Sequence, residues 1–242
     1  MGRRLIALLA SLLLSPAGAA VEGIVTADIM PMAYRQDGKG RGMMYELVQE
    51  LAPRLGFHGD IRFYPWPRAQ ATARSGAAML IFPVSRTPDR EKLYTWVAPL
   101  GVMRHLMLTR RDLNVSLDDH AAMGKLPVGV LRGSPHRAML ENLGYRHILE
   151  EPSNEALLRL LDQNMVAAIV SGDWVIRATL QQAGRDERQF VFGKPLASTE
   201  VYVAASLTTP EVEVLAWRQA IETARRDGVI DRLMKKYGVA TP

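Results

Sequence analysis

Short apolar runs alternate with amphipathic segments along most of the chain, and the rhythm predicts a β-α-β-α-β unit near the start. Gly23 to Met30 reads as a strand carried by Ile24, Val25 and Ile29. A polar, glycine-rich loop follows from Pro31 to Gly42. Leu47, Val48, Leu51 and Leu55 fall at helical spacing, which predicts a helix from Met43 to Leu55 that Gly56 stops. Pro53 should kink or fray its last turn. His58 to Trp66 alternates as a second strand, with Ile61, Phe63 and Tyr64 as its best β formers. Pro67 to Ser75 opens a short helix on its proline, and Ala78 to Phe82 is a wholly apolar strand.

The next stretch, SRTPDREKLYTWVAPL, joins that strand to an aromatic-rich one. Thr87, Pro88 and Asp89 read as N-cap, N1 and N2 of a short turn, because proline's fixed φ and missing N–H suit the first helical position. Val102 to Arg110 is then a strand leaving this unit, and Leu113 to Leu126 is a loop-like boundary. The rhythm restarts with a strand at Val128 to Leu131, the Gly133-Ser134-Pro135 turn and a helix to Leu143. A short strand at Arg146 to Leu149, a helix at Asn154 to Asp162 capped by Ser153, and a buried strand at Met165 to Val170 follow. Trp174 to Gln182 is a helix with Asp173 or Ser171 as its cap. Phe190 to Phe192 and Val201 to Ala205 return toward the first unit; a helix opened by Thr209-Pro210-Glu211 is broken at Asp227-Gly228, and a last short helix runs from Val229 to Tyr237. The expectation is two βα lobes, residues 21–108 with 197–242 and residues 109–196, joined by two crossings.

Composition narrows the picture. Arg3 and Arg4, the apolar run Leu5 to Leu14 and the small residues Ala17-Gly18-Ala19-Ala20 form a cleaved export signal, assigned to residues 1–20. The run is too short to span a bilayer as a helix, and no later segment is long enough either. The expected location is therefore the periplasm. The chain has no cysteine, which excludes disulfides, thiolate metal sites and a lipidated cysteine after the signal. The formal charge of +5 falls to +3 once Arg3 and Arg4 leave, and the basic residues are scattered. Nucleic-acid binding is not expected from that distribution, whereas a mild bias toward anionic small ligands is. His58, His105, His120, His136 and His147 show no metal-ligand spacing, and no nucleophile motif is present, so neither metal nor cofactor is expected.

The candidate chemistry gathers at strand ends. Tyr34, Trp66, Ser85 and Arg90 all lie just beyond predicted strands, where open α/β sheets bind ligands. A guanidinium from Arg90, a hydroxyl from Ser85 and free N–H donors on one turn make a seat for an anion. The alternative is an Arg90 paired with a surface carboxylate. Ser85 and Arg86 should face opposite ways on an extended segment, and Ser85 is assigned to the cleft. Arg68 either reaches the cleft or stays on its own helix, and Trp66 either stacks on a ligand or plugs the edge of the lobe. Tyr94 and Trp96 read as core, and His136 as a solvated helix start.

GRGMMYELVQELAPRLGF, PWPRA, SRTPDREKLYTWVAPL, VGVLRGSPHRAML, LLRLLDQNMVAAIV and ARRDGVIDRLMKKYG together resemble the periplasmic solute-binding proteins of the polar-amino-acid type, family 3. The resemblance spans nearly the whole mature chain. It implies an α/β, two-lobed type II periplasmic-binding-protein-like fold, each lobe a mostly parallel sheet flanked by helices, with two hinge crossings. It also implies that Arg90 takes a ligand carboxylate, that Ser85 adds a contact, and that Gly133 and Ser134 close on the same group. Here Ser134 as N-cap and Pro135 at N1 would aim a helix start at the cleft. Tyr34 is the nearest match to the family's stacking aromatic. The ammonium-binding acid is displaced, because SGDW puts Asp173 about one place late, where it also serves as a helix cap, the favoured reading. Phe82, Pro83, Met44 and Ala167 are further departures from the family pattern.

The function so implied is capture of a small carboxylate-bearing solute, an amino acid or a relative of one, by a monomer that serves an ABC-type membrane permease. Two alternatives remain. One is an enzyme on the same fold, resembling dehydratases of cyclic dienyl acids and needing a general acid for which Asp173 and Glu200 are the candidates. The other is an orphan sensing subunit.

Overall fold

Two sixteen-residue strands, Thr95–Arg110 and Phe190–Ala205, organise the molecule. The computed structural model describes residues 21–239, so the export signal lies outside the described residues. In chain order the strands are β1 (Gly23–Thr26), β2 (Tyr34–Gln36), β3 (Lys39–Arg41), β4 (Ile61–Phe63), β5 (Met79–Ser85), β6 (Thr95–Arg110), β7 (Val128–Leu131), β8 (Ile148–Glu151), β9 (Ala168–Gly172) and β10 (Phe190–Ala205). The helices are α1 (Met43–Leu51), α2 (Trp66–Ala73), α3 (His120–Met123), α4 (His136–Asn142), α5 (Asn154–Asp162), α6 (Asp173–Gln182), α7 (Glu211–Arg226) and α8 (Val229–Lys236).

Eight strands form one sheet in the order β4-β1-β5-β10-β6-β9-β7-β8. The outer trios β4-β1-β5 and β9-β7-β8 are parallel within themselves, and the antiparallel pair β6 and β10 lies between them. The end of β10 pairs with β5 through Val201 to Ala205, and the end of β6 pairs with β9 through His105 to Leu108. The two crossings are thus long strands that knit both halves into one sheet. The register of β10 against β6 shifts at four places, two of them flanking Pro195, which has no N–H to give the ladder.

Alternation along the strands sorts the core. Leu106, Leu108 and Ile169 face α5 and α6 in one cluster, while Met107, Ala168, Val170, Val128 and Val130 face Met123 and Leu140 in another. A larger cluster around β1 and β5 includes α1, α7 and α8, with Trp217 fully buried.

Several elements differ from expectation for local reasons. Pro53 ends α1 at Leu51 and opens a separate 3-10 turn, Pro53–Leu55, which Gly56 closes at φ 79°. The loop before α1 contains the β2–β3 hairpin, which turns at Asp37 and Gly38 with φ of 51° and 73°. Asp-Gly is a hairpin signal, since both residues must take positive φ. β5 runs past Phe82 through Pro83 to Ser85, and its pairing with β10 slips between Ile81 and Val84, around the proline. Thr87 is extended but caps nothing through its side chain, whose Oγ1 is buried without a partner.

Candidate functional site

A small cavity of about 50 Å³ lies at the carboxyl ends of β5, β7 and β9, between the two halves of the sheet. From the β1–β5 half it is lined by Ile29, Met32, Trp66, Pro83, Ser85 and Arg90. Met103, His105 and Val201 come from the crossing strands. Ser134, His136, Asn154, Ser171 and Val175 are among the residues from the far side. The volume holds a few waters.

Arg90 sits at the end of the 3-10 turn Pro88–Arg90, where its own N–H donates to the Thr87 carbonyl at 3.0 Å. Its side chain is buried. Nη2 donates to the Gly133 carbonyl across the cleft at 2.8 Å, and Nη1 to the Ser85 carbonyl at 3.5 Å. Burial pushes the guanidinium's pKa down, and Arg74 adds repulsion, while Asp89 and Tyr94 oppose the shift. The surface ion-pair alternative is thereby removed: the neighbouring Arg86 takes that role with Glu91 and packs over Trp96 and Tyr202. Ser85 faces the cavity and Arg86 faces away, as alternation requires.

Gly133 has φ 74°, a left-handed conformation that favours glycine. A side chain there would meet Gln70 Nε2 at 3.0 Å and Pro67 Cγ at 3.2 Å. Its carbonyl also accepts from Gln70 Nε2 at 3.1 Å. Ser134 lines the cavity, and its Oγ accepts from the His136 N–H at 3.3 Å, but the N-cap of α4 is Pro135, one place later than the sequence suggests. Trp66 is both core and cavity wall.

Three candidates lie elsewhere. Tyr34 is turned outward by the hairpin, whose Arg35 binds Asp28 through its main chain and side chain, and its ring meets Tyr237 edge-on at 6.4 Å. Met32 reaches the cavity in its place. Arg68 is exposed and stacks its guanidinium over the Tyr64 ring at 4.5 Å. Asp173 is buried but outside the cavity. Its Oδ2 accepts from Arg104 Nε at 2.8 Å, and its Oδ1 from the N–H groups of Trp174 and Arg104. The helix α6 has Gly172 as its N-cap, without a side-chain cap bond. Asp173 is therefore neither a cavity residue nor that helix's N-cap.

The residues missed by spacing are His105 and His136. His105 Nδ1 and His136 Nε2 share a hydrogen bond of 2.9 Å, and His105 Nε2 meets Thr199 Oγ1 at 2.7 Å. His136 is buried rather than a solvated helix start, and its Nδ1 has no partner. Burial lowers the His105 pKa to about 4; Arg90 adds to that and Asp173 opposes it. Burial pushes His136 well below its ordinary value, helped by His105 and Arg90. Both imidazoles are neutral near pH 7. Among the described residues no group of three or more His, Cys, Asp or Glu is arranged to hold a metal ion.

Known structures share this architecture. A histidine kinase sensor domain with similarity to periplasmic binding proteins aligns at a TM-score of 0.82 and 19% identity, covering 93% of this chain and 99% of that one. The amino acid ABC transporter substrate-binding protein AbpA from Streptococcus pneumoniae, solved with L-arginine, aligns at 0.77 and 19% identity, over 89% and 93% of the two chains. The ancestral amino-acid-binding protein AncCDT-1, described as a precursor of cyclohexadienyl dehydratase, aligns at 0.75 and 18% identity, over 89% and 94%. At such identities these likenesses establish the fold alone. No curated protein matches by sequence. No helix among the described residues is long and apolar enough to cross a membrane. The profile of the bacterial extracellular solute-binding proteins, family 3, matches residues 23–240, and the chain belongs to that family.

Proposed function

We propose that the protein works in the periplasm as a monomeric clamp, with residues 21–108 and 197–242 as one lobe and residues 109–196 as the other. The lobes close on a small carboxylate-bearing solute, an amino acid or a relative, and present it to an ABC-type membrane permease. The observation that carries this reading is Arg90, a buried guanidinium at the cavity whose Nη2 donates across the cleft to the Gly133 carbonyl at 2.8 Å. A carboxylate offers two charged oxygens to the same fork and is the stronger acceptor. Ligand entry would therefore exchange a neutral lobe-to-lobe bond for a charged one, with the Ser85 and Ser134 side chains at hand.

The test is a thermal-shift screen over amino acids and small carboxylates. A ligand at about 100 times its Kd stabilises the folded state by about 2.7 kcal/mol. Removing Arg90 should weaken a carboxylate by about 2–5 kcal/mol, roughly thirtyfold to a few thousandfold in Kd. Equal stabilisation of Arg90→Ala and the parent would rule out the anchoring role.

The enzyme reading has one observation in its favour, the unpartnered His136 Nδ1 on a ring that lines the cavity. Asp173 and Glu200 do not serve it, since neither lines the cavity and Glu200 accepts from the Tyr202 hydroxyl at 3.0 Å. Conversion of the stabilising ligand to a product of different mass would move the assignment to an enzyme.

A further inference from the structure

We propose that the solute is an organic monoanion whose second polar group is uncharged, a hydroxyl or carbonyl rather than an ammonium, and that His136 reads this group. The inference rests on the carboxylate reading of Arg90 and narrows the ligand class at the same site.

The charge on the cavity wall carries the first half of the argument. Arg90 lines the cavity, and no Asp or Glu among the described residues does. The nearest carboxylate in sequence to the family's acidic position, Asp173, opens instead on a separate groove with Arg104 and Arg177. An amino acid would satisfy Arg90 with its carboxylate and leave its ammonium buried without a counter-charge. Burying an unpaired charge is costly, and a site built without a partner for it discriminates against it. The remaining polar wall, Ser85, Ser134, Asn154, Ser171 and the two imidazoles, is neutral, and the rest is mostly apolar side chains such as Met32, Trp66 and Met103.

The histidine pair carries the second half. His136 spends Nε2 on His105, which spends its other nitrogen on Thr199. The Thr199 hydroxyl can donate or accept, so the chain of bonds runs in either direction. In one direction His136 Nδ1 carries the proton and donates, as a ligand carbonyl requires. In the other it is a lone pair and accepts from a ligand hydroxyl. Both states keep both rings neutral. A buried ring nitrogen without a partner is a standing cost, and a ligand group that pairs with it removes that cost.

The experiment measures Kd by calorimetry for matched acids on two skeletons, butanoate and 3-phenylpropanoate. Each is taken unsubstituted and with a 2-hydroxy, 2-oxo or 2-amino group. The parent should bind the hydroxy or oxo acid at least tenfold tighter than the amino acid on the same skeleton. Two variants separate reading from packing. His136→Gln keeps a polar atom near Nε2 and loses Nδ1, and should bring the hydroxy or oxo acid down to the unsubstituted acid. His136→Asn keeps a polar atom near Nδ1 and should retain the preference. Amino acids binding as tightly as hydroxy and oxo acids overturn the inference while leaving Arg90 as anchor. Equal losses in the Gln and Asn variants overturn the role of His136. Failure of all eight acids to bind the parent, or equal binding to Arg90→Ala, sinks the carboxylate reading itself.

Discussion

Lowering the pH from about 8 to about 5 acts on His105 and His136 through proton linkage. The ordinary imidazole value is 6.5, whereas burial holds His105 at about 4 and His136 well below 6.5. Because the folded values lie below the unfolded ones, the unfolded chain takes up protons first. The contribution to stability is intact above about 6.5 and is lost progressively as the pH falls through the window toward the folded values. At a pH near 5 the His105 imidazole has refused a proton over about 1.5 pH units, which costs about 2 kcal/mol, and His136 adds a cost of the same sign. For a protein of this size the His105 cost alone lowers Tm by on the order of 5 °C, and His136 lowers it further. Two charges act on the rings from neighbouring elements: Arg90 lowers both, and Asp173 opposes the shift on His105. Carboxylates held low by their partners, such as Glu91 beside Arg86 and Asp112 beside Arg110, begin to respond only at lower pH. The assay is differential scanning calorimetry at several pH values on the parent and on a His105→Gln, His136→Gln double variant. The double variant should lose most of the slope above about pH 5. A parent Tm that moves by less than about 3 °C, or a slope unchanged in the double variant, would refute the buried neutral pair.

The remaining predictions address placement and closure. Asp173→Asn should lower the unfolding free energy by about 1–2 kcal/mol in denaturant titration, because a carboxylate with three donors is replaced, the exposure of Arg104 keeping the loss modest. Its ligand affinity should stay within about twofold, and a collapse of affinity would return Asp173 to the site. Gly133→Ala should strain a residue at φ 74° by about 1–2 kcal/mol and press on Gln70 and Pro67. Its cleft should open, seen as a larger radius of gyration by X-ray scattering and a weaker ligand. An unchanged radius and affinity would mean that this turn does not govern closure.

The local periodicities were legible in the chain because they depend on nearest neighbours. Val128 to Leu131 forms the predicted strand, and Ser153 caps the helix that follows by accepting the Ala156 N–H. The turn at Pro88 brought Arg90 to the cavity, and alternation sent Ser85 in and Arg86 out, both consequences of backbone geometry that residue types announce. The Asp37-Gly38 hairpin signal lies inside a polar, glycine-rich stretch without strand periodicity, and the hairpin sets the direction of Tyr34.

Long-range partners were a different matter. His105 and His136 are thirty-one positions apart, and only the packing of a crossing strand against the α4 start makes them a pair. On β6 the period of two turns Met103 and His105 to the cavity and Arg104 to the opposite side. Asp173, one step beyond the cavity-lining Gly172, follows Arg104 to that side. The single step from Gly172 to Asp173 thus turns that carboxylate away from the cavity and into an ion pair with Arg104. The sequence by itself determined the two-lobed α/β rhythm and the turn that carries Arg90. Which groups face that arginine across the cleft was decided by strand register and lobe contact, and these exist only in the folded chain.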